Sequence, residues 1–232
     1  MTVKDRVLTA LSTVRDPELD EPVTALGFVA SCEVSPGGDA EVHLRLPTYF
    51  CAPNFAFLMV ADAYDAVSTV DGVQHAVIVL DEHFASDAIN DGVAARAGFA
   101  QAFAGEAIGE LDQLRADFLR KAVLAGTDQV CRPLLSSGLT SSDLATLTID
   151  AVPRTAALDR LRRRRADLGL PSGDGDPLLV DPVTGAAVAA EALPLHLRRA
   201  RTVRTSIEAN TGICRGMLRV RYDDKGEGEE EL

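Results

Sequence analysis

Residues 40–80 change hydrophobic period twice, and this limits the folds open to the chain more than any other feature. Ala40-Glu41-Val42-His43-Leu44-Arg45-Leu46 alternates apolar and polar, the pattern of a half-buried strand. Pro53 then suits the first turn of a helix, whose apolar face is supplied by Phe55, Phe57, Leu58, Met59 and Ala61 and which runs to about Val70. Beyond the Asp71-Gly72 turn, Val73, Val77, Ile78, Val79 and Leu80 form a β-branched run. Strand, helix and strand in this order predict a βαβ unit with a right-handed crossover.

Upstream, Thr2 stands three residues before Asp5 in a capping-box variant, and Val3, Val7, Leu8 and Leu11 follow at helical spacing. This helix is expected to end near Val14, because Asp16 precedes Pro17 and is steered away from helical dihedrals. The loop 16–22 leads to a strand over about 28–34. The turn Ser35-Pro36-Gly37-Gly38-Asp39 then folds that strand back on 40–46 as an antiparallel hairpin. Residues 1–83 thus parse as α-β-β-α-β, a small two-layer α/β (α+β) domain.

Residues 84–222 read as a mainly α-helical extension. Helices are predicted over about 105–125, 158–168 and 193–207, with a break at Cys131-Arg132-Pro133 and a cap at Thr140-Ser141-Ser142-Asp143. Leu178 to Val188 has the pattern of a short hairpin around a proline–glycine turn, and 216–222 that of a strand. The last ten residues, 223–232, form an acidic tail expected to be disordered.

The net charge of −12 is unevenly spread: residues 1–150 hold 9 basic and 22 acidic residues, whereas 151–222 hold 13 basic and 7 acidic. An acidic body argues against nucleic-acid binding, which draws affinity from phosphate neutralisation. No apolar run reaches the length of a membrane span and the N-terminus has no signal-peptide pattern, so a cytoplasmic protein is expected. The four cysteines, Cys32, Cys51, Cys131 and Cys214, are widely separated. That spacing suits neither a disulfide framework nor a self-contained zinc knuckle.

Cys51 stands where the strand gives way to the helix, beside unpaired N–H groups whose partial charge favours thiolate. It reads either as a reactive thiol or as a small packed hydrophobe. Asp16 and Glu18 read as hard oxygen ligands or partner contacts, or else as loop-forming residues. His43 and His75, on neighbouring strands, could meet across the sheet, and His83 follows beside Asp81, Glu82 and Asp87 as a further candidate ligand. These histidines read equally as solvated strand-end residues. Arg162, Arg163, Arg164 and Arg165, with Arg198 and Arg199, read as a docking face for an acidic partner or as a solvated helix face. No GxSxG, GxxxxGK[ST] or HExxH motif is present.

Taken in order, Val14-Arg15-Asp16-Pro17-Glu18-Leu19, Leu26-Gly27-Phe28-Val29, the hairpin, Cys51 with Pro53, the helix and Gly72-Val73-Gln74-His75-Ala76-Val77-Ile78-Val79-Leu80 resemble the SufT/PaaD-like iron–sulfur cluster assembly family. The resemblance covers residues 1–83. It implies a non-enzymatic factor that serves maturation of an iron-containing protein, with the reactive cysteine at Cys51 and the acidic loop at Asp16 and Glu18. It also implies a transient iron or iron–sulfur cargo with no permanently bound cofactor, and a client metalloenzyme or assembly-machinery protein as partner. Relatives with similar extensions suggest a di-iron monooxygenase as client. Ala52 separates Cys51 from Pro53 where most members place proline directly after the cysteine, and the cysteine-rich extension of PaaD-like proteins has no counterpart here. One thiolate is too few for a cluster, so a homodimer or ligands lent by a client would complete it. The alternatives are a metal-free adaptor or folding chaperone with Cys51 structural, and a thiol enzyme built on Cys51 with His43 or His75 as base.

Overall fold

The computed structural model describes residues 1–96, 98 and 109–222. The chain divides into two compact units, one made of Met1–Gln113 with Asn210–Leu232 and the other of Leu114–Ala209.

The first unit opens with α1 (Val3–Leu11), started by a reciprocal capping box between Thr2 and Asp5. It stops a turn before the expected Val14. The hydroxyls of Ser12 and Thr13 donate to the carbonyls of Thr9 and Ala10, and Val14 accepts from the Val23 amide across the following loop. Strands β1 (Val29–Val34) and β2 (Asp39–Leu44) form the antiparallel hairpin, α2 runs Pro53–Ser68, and β3 (His75–Leu80) pairs parallel to β2. The strand order β1-β2-β3 puts the hairpin's second strand in the centre. The βαβ unit is therefore as its changes of period predict. A short helix, α3 (Ser86–Ala94), follows.

The core forms where the periods coincide. Ala40, Val42 and Leu44 alternate inward on β2, and Ile78 and Leu80 do so on β3. Ala56, Val60, Ala63 and Val67 recur along one face of α2 and are fully buried, as are Val7 and Leu11 of α1. Each of these valine, leucine and isoleucine side chains contributes about 1.5–3 kcal/mol by leaving water.

The second unit is helical. Helix α4 spans Gly109–Ser136, α5 Ser141–Thr146, α6 Ala156–Asp167, and α7 runs Leu193–Tyr222, with residues 109–113 of α4 and 210–222 of α7 belonging to the first unit. The core of this unit gathers Val123, Val130, Cys131, Leu144, Ile149, Leu158, Leu161, Leu178, Leu179 and Leu193. Helix α4 passes through Pro133 rather than breaking there, and Pro133 has no amide to donate to the Gln129 carbonyl one turn earlier. Residues 105–108 of the expected helix lie outside the described residues, as does the acidic tail 223–232. The expected cap at Thr140 is a full capping box with Asp143. The short hairpin consists of one bridge, Val180 to Ala187, closed by Asp181 accepting amides from Val183 and Thr184.

The strand expected over 216–222 is a correction: these residues are the last two turns of α7. Cys214, Leu218 and Tyr222 repeat at a spacing of four and pack against the core of the first unit. The period there is helical, not two. Among the described residues, no helix is long and apolar enough to cross a membrane.

Candidate functional site

Cys51 lies in the segment joining β2 to α2, just ahead of the N-cap residue Ala52 and of Pro53 at the first helical position. No side chain caps this helix start. The thiol is half-buried, and its Sγ lies 3.3 Å from the Thr48 hydroxyl.

The end of β3 holds this segment in place. His83 is 3% exposed; its Nε2–H donates to the Cys51 carbonyl at 2.7 Å, and its Nδ1 accepts the Ala85 amide at 3.2 Å. These two bonds define one neutral tautomer and occupy both ring nitrogens, so His83 positions the cysteine backbone. The Phe84 amide adds a bond to the Tyr49 carbonyl at 3.1 Å. Glu82, immediately before, takes a left-handed φ of 44°, a conformation uncommon for a residue with a Cβ, which turns the chain back towards the loop. Beside Cys51, Tyr49, Phe50 and Phe84 form an exposed aromatic cluster with ring centroids 5.0 to 6.3 Å apart.

In the acidic loop, Asp16 Oδ1 accepts the amides of Glu18 and Leu19 at 2.8 Å each. The carboxyl is only 8% exposed, and burial pushes its pKa up to about 6 against the pull of those two amides. Glu18 instead accepts from Asn210 Nδ2 at 3.2 Å, and Glu21 pairs with Arg215 at 2.5 Å. Arg221 donates to the carbonyls of Leu46, at 3.1 Å, and Glu82, at 2.6 Å. The end of α7 is thus bonded to the acidic loop, to Leu46 just beyond β2 and to Glu82 just beyond β3. The Cys214 thiol is pushed up to about 11, chiefly by burial and further by Asp16, Cys51 and Glu18.

The other candidates lie elsewhere. His43 Nδ1 and Nε2 bond Asp81 and Glu41 at 2.9 Å each, and its pKa is raised by the bond to Glu41 and then by that to Asp81. His75 pairs with Asp39 at 3.0 Å. In the β2–β3 register His43 stands opposite Val79 and His75 opposite Asp39, so the two rings do not meet. Arg164 and Arg165 are 3% and 0% exposed, inside the second unit rather than on a solvated face. Two N–H groups of Arg165 bond the carbonyls of Pro177 and Leu178. Arg162 pairs with Asp174 at 2.7 Å, whereas Arg163, Arg198 and Arg199 are exposed. Among the described residues, no three His, Cys, Asp or Glu side chains converge as an ion-binding set.

Residues 4–78 match the family described as iron–sulfur cluster assembly protein. The first unit contains a domain of that family. An iron–sulfur cluster carrier protein of Mycobacterium leprae is 43% identical over 49 residues, 21% of this chain and 13% of that protein. An uncharacterized protein of Methanocaldococcus jannaschii is 29% identical over 91 residues, 39% of this chain and 94% of that protein. No solved structure matches. The chain therefore spans a small part of the mycobacterial carrier but nearly all of the archaeal relative.

Asp16, Glu18, His43, Cys51 and His75 lie within the matched assembly domain; His83 and Cys214 lie beyond it. Sequence reasoning gave His83 the role of a candidate ligand and gave Cys214 no site role. The repeat of Cys214, Leu218 and Tyr222 was the available sign that this stretch is a helix with one apolar face.

Proposed function

We propose that the chain serves iron–sulfur cluster assembly or carriage, receiving iron or a cluster transiently at Cys51 and passing it to a client metalloprotein. The match of residues 4–78 to the assembly family carries this reading. The setting of Cys51 supports it: a half-buried thiol in a segment tied down by His83, ahead of an uncapped helix start. The thiol gives up its proton as sulfur bonds to iron, with no change of oxidation state required of the protein. The aromatic cluster of Tyr49, Phe50 and Phe84 offers a client a surface against the same segment. In this reading Asp16 and Glu18 shape the loop beside the cargo, and the second unit serves client docking. A di-iron monooxygenase is the client class suggested by the sequence resemblance.

The absence, among the described residues, of three converging ligands favours one alternative, a metal-free adaptor in which Cys51 is structural. Anaerobic incubation with ferrous iron and sulfide separates the two. Stoichiometric loading of the wild type, lost in Cys51→Ala, is the expected result. Equal loading of both proteins, or of neither, would favour the adaptor.

A further inference from the structure

Within the first unit, a cleft of about 500 Å³ opens between the turn 24–27, ahead of β1, and the end of α7. Its walls carry three guanidinium groups, those of Arg45, Arg215 and Arg219, and no carboxylate. Neither Cys51 nor His83 lines it. The chain bears a net charge of −12, so three arginines around one cavity run against its composition.

Each guanidinium is held differently. Arg45 Nε–H donates to the Gly27 carbonyl at 3.3 Å, and its guanidinium carbon lies 4.7 Å from the centre of the Tyr222 ring. The bond and the stacking orient the planar fork, and among the described residues its two terminal nitrogens have no hydrogen-bond partner. Arg215 donates to Glu21 at 2.5 Å and to the Ala25 carbonyl at 3.4 Å, which ties α7 to the turn. Arg219 follows Arg215 by one helical turn; it is exposed and, among the described residues, has no ion-pair partner. Like charges at this spacing on a helix repel. Glu21 answers one of the three cations and leaves the other two without a counter-charge among the described residues. The opposite wall is fixed by its own backbone: the Gly27 amide bonds the Thr24 carbonyl at 3.3 Å and the Phe28 amide bonds that of Val23 at 2.9 Å. Gly27 takes a left-handed φ of 77° and packs closely on α7, since an added Cβ would meet Leu218 Cδ2 at 3.2 Å.

We propose that this cleft binds a small polyvalent oxyanion, a phosphate- or carboxylate-bearing metabolite, through Arg45, Arg215 and Arg219. Guanidinium forks match the paired oxygens of both groups, and the cleft has the size of a small-molecule site. A bound oxyanion supplies the counter-charge that Arg45 and Arg219 lack and relieves the repulsion between Arg215 and Arg219. The site goes beyond the carrier reading and does not depend on it. Arg45 and the turn belong to the matched segment 4–78, whereas Arg215 and Arg219 come from α7, outside it. Two of the three cations are thus contributed by this chain's extension.

Calorimetric titration of the full chain in a chloride buffer, with inorganic pyrophosphate and separately with citrate, tests the site. The wild type is expected to bind one equivalent of at least one of them at physiological salt, and the tighter of the two tells a phosphoryl ligand from a carboxylate one. Arg219→Gln, which breaks no ion pair or hydrogen bond among the described residues, should bind about tenfold or more weakly, as should Arg45→Gln. Arg163→Gln removes the same charge from an exposed position of the second unit and should bind as the wild type does. A wild type that binds neither probe saturably would overturn the site, and that readout requires no variant to fold. Equal weakening in Arg163→Gln and Arg219→Gln would overturn it too, because bulk charge would then explain the binding. So would wild-type affinity in both Arg219→Gln and Arg45→Gln.

Discussion

Asp16 is a buried carboxyl that the folded chain holds at a cost. Its pKa rises from 3.8 to about 6 on burial. The folded state therefore binds the proton more tightly than the unfolded chain does. Below about pH 3.8 the group imposes no penalty; the penalty grows as pH rises through the window and is complete above about 6, on the order of 3 kcal/mol. Asp16→Asn keeps an oxygen to accept the Glu18 and Leu19 amides while removing the charge. In urea melts the variant should match wild type near pH 4 and exceed it by about 1–3 kcal/mol at pH 7.5. Parallel stability curves across that range would show that the carboxyl is not held as described. A destabilising charge retained in the buried turn of this loop is what a functional loop would show. The residues of this loop were readable from sequence because the Asp-Pro-Glu order is local. Cys214 was not, because its neighbourhood depends on contacts such as Asn210 to Glu18, 192 residues apart.

Among the elements, the βαβ unit was legible because each of its parts buries one face, so the period of the sequence is the period of the core. The end of α7 misled for a related reason. Gly216 to Tyr222 mixes β-branched, aromatic and arginine residues, and over so few residues a period of two and one of four are hard to separate. Tertiary contact decides: Leu218 is 6% exposed and belongs to the core formed by the sheet and α2. Leu218→Ala should cost about 2–4 kcal/mol, and its effect should fall on the first unit. The check is the rate at which a thiol reagent reaches Cys32, itself 6% exposed, under mild denaturant. Faster Cys32 labelling, with Cys131 labelling unchanged, is the expected outcome. A variant as stable as wild type would mean that α7 adds nothing to this core.

At the scale of the whole molecule, the two units have separate cores and oppositely titrating buried groups, which the sequence pattern could not reveal because burial, not residue type, sets the sign. In the first unit Asp16 makes stability fall as pH rises through about 4 to 6. In the second, His196 is 8% exposed, and its pKa is lowered by burial, helped by Arg165 and Arg199 and opposed by Asp181. A histidine whose folded pKa is depressed imposes no penalty above its unfolded value of 6.5, and stability is lost as pH falls below it. Lowering the pH from 7.5 to 5.5 should therefore strengthen the first unit and weaken the second. Cys32 and Cys131, buried in the respective cores, report on each. Labelling with a thiosulfonate reagent, scaled to the fully unfolded chain at each pH, should show Cys131 protection dropping relative to Cys32. In His196→Gln the fall in Cys131 protection should shrink, and in Asp16→Asn the gain at Cys32 should vanish. If both thiols instead changed by the same factor in every variant, the two units would be unfolding as one, and neither buried group would be governing its own core.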